Sequence, residues 1–454
     1  MPQIGVVADD LTGATTTGSI LARSRARTAV FLNEKDAIRY DDMQNLDAVI
    51  VNSNSRPLSG EEAYSSVRSA TLALQQMGVR YFSKRIDTTM RGRIGTEIDA
   101  MMDLLPEDTV AVVVPAMPQS RRILVGGYSI IDGVLLTRTP VAQDVRTPVD
   151  ENYIPKLLSL QTRRKVGLVE LEEVVSGSDS ICQALRKARE NRTEVIIVDA
   201  VSLEDVENIA KAVNRLGWNV LAVDPGAFTV KLAYTRGLIQ KETANVPERR
   251  MESSQTVIVA AGSATPVTKR QIEKLCENPK VVRIPVDPLP LIDGNEAMEK
   301  EIVRSVSEAR RFLKREQPEA LVFETALHGP VLSLDEQDKA RHYHPGTSAR
   351  MINEGLGKIT ETLFSEYGDT RIAGLYCTGG DTLVSVCSHL GVDFLEMIDY
   401  VIPQSDVMRM RGKFDNMTVV GKGGLTGDED TAVRIVHRII DESQRPERGK
   451  TTDK

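Results

Sequence analysis

Short apolar runs without polar alternation recur along the chain, and amphipathic stretches of helical period lie between them. Such runs read as buried parallel strands. They predict strands at Ile4–Ala8, Thr28–Leu32, Ala48–Asn52, Arg80–Lys84 and Val110–Val114, then at Val166–Val169, Val195–Asp199 and Val220–Asp224. Helical patterns include Glu61–Met77 and Gly95–Leu104. The run Gln240–Ser254 is polar, charged and Pro-containing, as a linker is. The alternation then resumes with strands at Thr256–Ala261, Val281–Ile284, Ala320–Phe323, Arg371–Tyr376 and Met417–Val420, separated by long helices at Glu296–Glu316 and Thr347–Tyr367. Strands alternating with helices throughout imply two α/β domains with largely parallel sheets. The expected boundaries are a first domain over 1–240, a linker over 241–255, a second domain over 256–441 and a frayed polar tail over 442–454.

Length supports the division, since 454 residues exceed one ordinary core. A net charge of −7 implies no broad basic surface for nucleic acid. Aromatic residues at 4% argue against stacking platforms for single strands. The apolar runs are far short of a membrane span, and Asp9 and Asp10 interrupt any signal-like start. Cys182, Cys276, Cys377 and Cys387 are scattered without a CxxC pair, which reads as reduced cysteines in a cytoplasmic protein.

Candidate chemistry clusters after the strands. The first runs straight into Asp9-Asp10 and then Leu11-Thr12-Gly13-Ala14, where Thr12 can cap a helix and Gly13 lets a ligand approach the backbone. Strand alternation, if continued, sends the two aspartates to opposite sides, leaving one of them to face a ligand fully. Later strands lead into Asn52-Ser53-Asn54-Ser55-Arg56, then Ser83 to Gly92, then Pro115 to Arg122. Ligands of open α/β sheets bind at the carboxyl ends of strands, where such loops converge. Arg56, Lys84 and Arg91 are expected to face Asp9 and Asp10, with Asp87 in the same cluster and Asp144 a weaker candidate. Cations, hydroxyls and carboxylates together suit a small polyhydroxylated anion: arginine forks a carboxylate, and aspartate accepts from hydroxyls.

In the second half glycine replaces charge. Gly262-Ser263, Thr378-Gly379-Gly380-Asp381-Thr382 and Gly421-Lys422-Gly423-Gly424 each follow a strand. Glycine turns leading into helices expose backbone N–H groups to an anion and fit phosphate, with Lys422 as a point charge. Neither a GxxxxGK[ST] loop nor a GxGxxG after a strand is present. His342-Tyr343-His344 lacks a carboxylate-spaced partner, so no protein-held metal is expected, and any divalent ion is Mg²⁺ brought by nucleotide phosphates.

These motifs, in this order and over nearly the whole chain, resemble the four-carbon acid sugar kinases. The shared features are Asp9-Asp10-Leu11-Thr12-Gly13-Ala14, Ser55-Arg56, the stretch Lys84 to Gly92 with one extra position between lysine and aspartate, Gly262-Ser263, Thr378 to Thr382, and Lys422 to Gly427. The resemblance implies ATP and Mg²⁺ as cofactors and a threonate, erythronate or 3-oxo-tetronate as acceptor. It places the active site in the cleft between the domains. Asp9, Asp10, Thr12, Arg56, Lys84, Asp87 and Arg91 would bind the substrate, with Asp10 orienting or deprotonating the attacking hydroxyl. Ser263, Gly379, Gly380, Asp381, Thr382, Lys422 and Gly424 would hold ATP. A homodimer is compatible with this reading. Thr16, Ser120-Arg121-Arg122, Gly423 and Thr426 depart from the family's pattern. The competing readings are a nucleotide-gated sugar-acid binding protein without catalysis and an oxidoreductase; the missing dinucleotide fingerprint counts against the latter.

Overall fold

Fully buried apolar runs become the interior strands of two α/β units, Met1–Ala244 and Asn245–Lys454. The computed structural model describes residues 1–40, 42–143, 147–243, 254–315, 317–329 and 331–445. Asp144, most of the expected linker and the tail beyond 445 lie outside the described residues.

In the first unit the strands are β1 (Ile4–Ala8), β2 (Thr28–Phe31), β3 (Ala48–Asn52), β4 (Tyr81–Arg85), β5 (Val110–Val113), β6 (Arg122–Val125), β7 (Tyr128–Ile131), β8 (Val134–Leu135), β9 (Val166–Val169), β10 (Val195–Val198) and β11 (Val220–Asp224). Eight of these form a parallel sheet in the order β2-β3-β1-β4-β11-β5-β10-β9. The register sets Ala8 beside both Asn52 and Arg85, and Arg85 beside Asp224. The carboxyl ends of β1, β3, β4 and β11 therefore lie at one level. Val112, Val198 and Phe228 belong to a core cluster between strands and helices on one side of this sheet. Strands β6 to β8 make a small antiparallel sheet that the apolar pattern did not announce. Each is too short for a clear period, although Gly126-Gly127 and Asp132-Gly133 between them are hairpin turn pairs.

In the second unit β12 (Thr256–Ala261), β13 (Val281–Pro285), β14 (Ala320–Glu324), β15 (Ile372–Thr378), β16 (Val392–Ile402), β17 (Ser405–Gly412) and β18 (Thr418–Lys422) run in the order β13-β14-β12-β15-β18-β17-β16. The first five in that order are parallel; β17 runs antiparallel to both β18 and β16. The β16–β17 ribbon is an addition to the expected alternation, because Asp393, Glu396 and Asp399 break up its apolar period. Val259, Val322, Tyr376 and Ile439 sit in the core of this unit. The expected frayed tail begins too early. Glu442 lies in the helix Thr431–Ser443, buried, with Arg438 at 3.0 Å and Arg445 at 2.7 Å. No described helix is long and apolar enough to cross a membrane.

One ion pair ties a helix to the sheet of the first unit. Lys84 on β4 meets Glu97 of the helix Ile94–Met102 at 2.7 Å, with side chains 0% and 1% exposed. Lys84 also donates to the Arg85 carbonyl at 2.9 Å. Removing one partner of a buried pair strands an uncompensated charge and costs about 3–5 kcal/mol, whereas replacing both by apolar groups is often neutral. Lys84→Met should therefore lower the urea midpoint by an amount equivalent to about 3–5 kcal/mol, and Lys84→Met with Glu97→Leu should recover most of it. A single variant within about 0.5 kcal/mol of the parent would contradict this role.

Candidate active site

At the carboxyl edge of the first sheet the chain leaves β1 as Asp9-Asp10 and turns at once into the helix Leu11–Arg23. Asp10, not Thr12, is the N-cap: its Oδ1 accepts from the Gly13 N–H at 2.9 Å. Thr12 lies in the first helical turn, half-buried, and its carbonyl accepts from the Thr15 and Thr16 hydroxyls. From β3, Ser53 donates its hydroxyl to the Ala8 carbonyl at 2.8 Å and meets Ser55 at 2.9 Å. That ties the end of β3 to the end of β1 and aims Arg56 across them.

Arg56 bridges both carboxylates. Its Nε lies 2.7 Å from Asp9 Oδ2, and its terminal nitrogens lie 2.8 Å from Asp10 Oδ2 and 2.6 Å from Asp10 Oδ1. Arg85, at the end of β4, reaches Asp9 Oδ1 and Asp10 Oδ1, both at 2.9 Å. Gly13 makes this possible, since a Cβ there would sit 1.8 Å from an Arg85 terminal nitrogen. Asp87 lies 4.0 Å from Arg56 and 2.6 Å from Arg91 Nε, and accepts from the Thr89 hydroxyl. The structure thus brings together Asp9, Asp10, Arg56, Asp87 and Arg91 of the expected residues and adds Arg85, so that three aspartates are balanced by three arginines; Thr12 follows Asp10 in the first helical turn.

Two expectations about this cluster change. Asp9 and Asp10 do not diverge: β1 ends at Ala8, so the strand period no longer governs them, and the same two guanidinium groups hold both. Lys84 is turned away to Glu97, because neighbouring strand residues face opposite sides, and Arg85 takes the place expected of it. The extra position in the Lys84–Asp87 motif was the signal for Arg85. From the Pro115–Arg122 loop, Arg121 is exposed and lies 3.4 Å from Asp132 instead.

Burial distinguishes the two aspartates. The Asp9 side chain is 3% exposed and that of Asp10 23%. Burial alone would raise the Asp9 pKa, but the charges of Arg56 and Arg85, with Lys84 behind, outweigh it and hold the carboxyl at about 2. Burial likewise opposes the Asp87 charge, and Arg56 and Arg91 overcome it, holding that carboxyl below its ordinary range. Asp10 Oδ1 accepts from the Gly13 N–H and from Arg85 and lies 2.6 Å from an Arg56 terminal nitrogen, whereas Oδ2 accepts from Arg56 and has capacity left for a ligand hydroxyl.

The second unit presents a cavity of about 360 Å³ at the carboxyl ends of β12, β14, β15 and β18. Ser263, Gly379, Gly380, Asp381, Thr382 and Gly424 all line it. The helix Gly380–His389 begins there, so the N–H groups of its first turn border the cavity. Gly262 is required by a close approach: a Cβ would lie 2.2 Å from Thr382 Oγ1. The hydroxyls interlock, with Thr265 donating to the Gly424 carbonyl at 2.6 Å and Thr382 to Asn353 at 2.8 Å. Thr265 and Asn353 were not anticipated, and neither was the apolar wall of Val331, Leu334 and Ile352. Thr265 was legible as a helix cap before Pro266; the others converge from distant segments. Lys422 does not line the cavity. It is buried and donates to the carbonyls of Gly423 at 2.6 Å and Thr426 at 3.1 Å, shaping the turn beneath. Desolvation lowers its pKa to about 8.

The Asp9 pairing carries a pH dependence. A carboxyl held below its unfolded value of 3.8 contributes stability that is fully present above that value. The contribution, about 2 kcal/mol at neutral pH, is lost as pH falls through about 2. The stability difference between the parent and Asp9→Asn should therefore shrink between pH 4 and pH 2 in urea titrations. A difference that stays constant over that range would remove Asp9 as an ionised member of the cluster.

Comparison with known proteins follows the same division. Residues 4–232 match the sugar-binding N-terminal domain family, and residues 258–432 match the nucleotide-binding C-terminal domain family. The chain is 32% identical over 450 residues to the D-erythronate kinase of Heliobacterium modesticaldum, covering 97% of this chain and 98% of that one. It is 28% identical to the D-threonate kinase of Salmonella typhimurium, over 96% and 97% of the two chains. Among solved structures it resembles a Salmonella typhimurium protein described as a tRNA synthase, with a TM-score of 0.76 at 19% identity over 95% and 98% of the two chains. A Haemophilus influenzae protein gives 0.70 at 21%, also over 95% and 98%. At those identities the likeness speaks for the fold alone. Sequence identity over nearly the full length, together with the two matched domains, places this chain in the four-carbon acid sugar kinase family.

Proposed function

We propose that the chain is an ATP-dependent kinase that phosphorylates a hydroxyl of a four-carbon sugar acid such as erythronate, threonate or 3-oxo-tetronate. The observation that carries this reading is the presence, in one chain, of a carboxylate–guanidinium cluster and a glycine-walled cavity, each at the carboxyl edge of a parallel sheet. Relatives named as D-erythronate, D-threonate and 3-oxo-tetronate kinases support it.

In this reading 1–240 is the substrate domain and 256–441 the nucleotide domain. Arg91 takes the substrate carboxylate, being the most exposed of the three arginines at 25%, against 14% for Arg56 and 7% for Arg85. Asp10 Oδ2 accepts the hydrogen bond of the acceptor hydroxyl and orients it for attack on the γ-phosphorus. Thr12 and Asp87 flank the polyol. Asp9 and Arg85 hold Asp10 in place from the buried side. In the second unit the N–H groups at Gly380 and the Ser263 and Thr382 hydroxyls receive the phosphates, and the Val331–Ile352 wall receives the base. Mg²⁺, carried by the phosphates, would neutralise their charge, with Asp381 the carboxylate on the described wall able to reach it. Four free cysteines suit a reducing, cytoplasmic compartment.

The test is product formation. Incubation with Mg·ATP and each of D-erythronate, D-threonate and a 3-oxo-tetronate should give ADP and a phosphorylated acid in equal amounts for at least one of them. Removal of Mg²⁺ with EDTA should abolish turnover. Saturable binding of both ligands without product would instead support a nucleotide-gated binding protein.

A further inference from the structure

The first unit has a second cavity, about 570 Å³, at the amino-terminal edge of its sheet, opposite to the edge that holds Asp9 and Arg56. Tyr81 opens β4, Val220 opens β11 and Thr109 precedes β5, and all three line it. Two cations gather on the Tyr81 ring. The Arg236 guanidinium lies 4.3 Å from the ring centroid and that of Arg80 lies 5.4 Å from it. Neither guanidinium has a carboxylate or a hydrogen-bond acceptor among the described residues. Two like charges over one ring repel, and the ring's quadrupole offsets only part of that. Burial pushes the Arg236 pKa down, and the Arg80 charge adds to the effect.

On the other edge Arg56, Arg85 and Arg91 are each met by carboxylates. Here the pair faces a cavity whose wall includes Thr109, a residue with an enclosed hydroxyl that has no hydrogen-bond partner among the described residues. The remaining wall is mixed: Phe82, Leu105, Pro106, Val213 and Trp218 lie beside Gln75, Asn214 and Asn219, whose amides donate to Leu104, Thr235 and Asp108. Two convergent guanidinium groups beside aromatic and aliphatic side chains in one concavity suit an anion that carries an apolar body. We propose that this cavity binds a small oxyanion with a flat apolar body. Arg80 and Arg236 receive its phosphate or carboxylate, and Trp218 and Phe82 pack against the body. None of the residues assigned to substrate or ATP lies on this wall, so the site is separate from the reaction.

Trp218 is the sole tryptophan of the chain, so its fluorescence reports on this cavity. The full chain, with ADP present to fill the nucleotide cavity, would be titrated with phenyl phosphate, benzoate, inorganic phosphate and phenol. A saturable change is expected with phenyl phosphate or benzoate, and the tighter of the two identifies the head group. Inorganic phosphate and phenol should each bind at least about tenfold more weakly, since each supplies half of the recognised chemistry. Arg80→Gln with Arg236→Gln should weaken the aromatic anion about tenfold or more while leaving kinase turnover unchanged. If the double variant unfolds, Arg80→Gln alone, at an exposed position, should still weaken binding. The proposal is overturned by no saturable response to either aromatic anion, by unchanged affinity in folded variants, or by phenol or phosphate binding as tightly as the combined probe.

Discussion

The bridging of Asp9 and Asp10 by Arg56 and Arg85 is the constraint on which the first unit depends. Two carboxylates adjacent in sequence and nearly enclosed repel each other, and both stay charged only with cations in place. The cations come from two different strand ends, β3 and β4, on either side of β1. Pairing of those strands in one register is thus a precondition for the charges, and the charges in turn fix the strand ends. Gly13 belongs to the same constraint, because only a residue without Cβ leaves room for Arg85 over the first helical turn. The result is a preorganised polar surface in which a hydroxyl can be oriented without first moving charged side chains.

The second unit solves a different problem by different means. Its cavity has no guanidinium on the described wall; it offers backbone N–H groups, hydroxyls and one carboxylate. Such a surface receives a polyphosphate through helix-terminal N–H groups and tolerates the accompanying cation. A charge-balanced cluster suited to a polyol acid and a cradle of N–H groups and hydroxyls suited to phosphate together fit phosphoryl transfer, in which the protein contributes positioning and electrostatics.

Much of this was legible in the sequence because parallel strands buried on both faces leave unbroken apolar runs. Ile4–Ala8, Ala48–Asn52, Val220–Asp224 and Thr256–Ala261 stand as the pattern places them. The polar clusters after them were visible for the same reason, since chemistry in open α/β sheets collects at strand ends. What the sequence hid depends on direction and on distance. Whether Lys84 or Arg85 faces the aspartates is decided by where β4 ends, a matter of one residue. Asn353 and Val331 reach the cavity from segments with no local signal. The β16–β17 ribbon escaped notice because acidic residues interrupt its period, and Lys422 looked like a phosphate ligand because sequence does not reveal that its ammonium is used on two nearby carbonyls.

The central claim is that Asp10, held by Arg56 and Arg85, orients the hydroxyl that attacks ATP. Steady-state kinetics of Asp10→Asn, with ATP affinity and thermal unfolding measured on the same protein, test it most directly. The substitution keeps size and one acceptor but removes the charge. kcat should fall about 10²-fold or more while ATP affinity and folding stay near those of the parent. A folded Asp10→Asn protein with full turnover would contradict it.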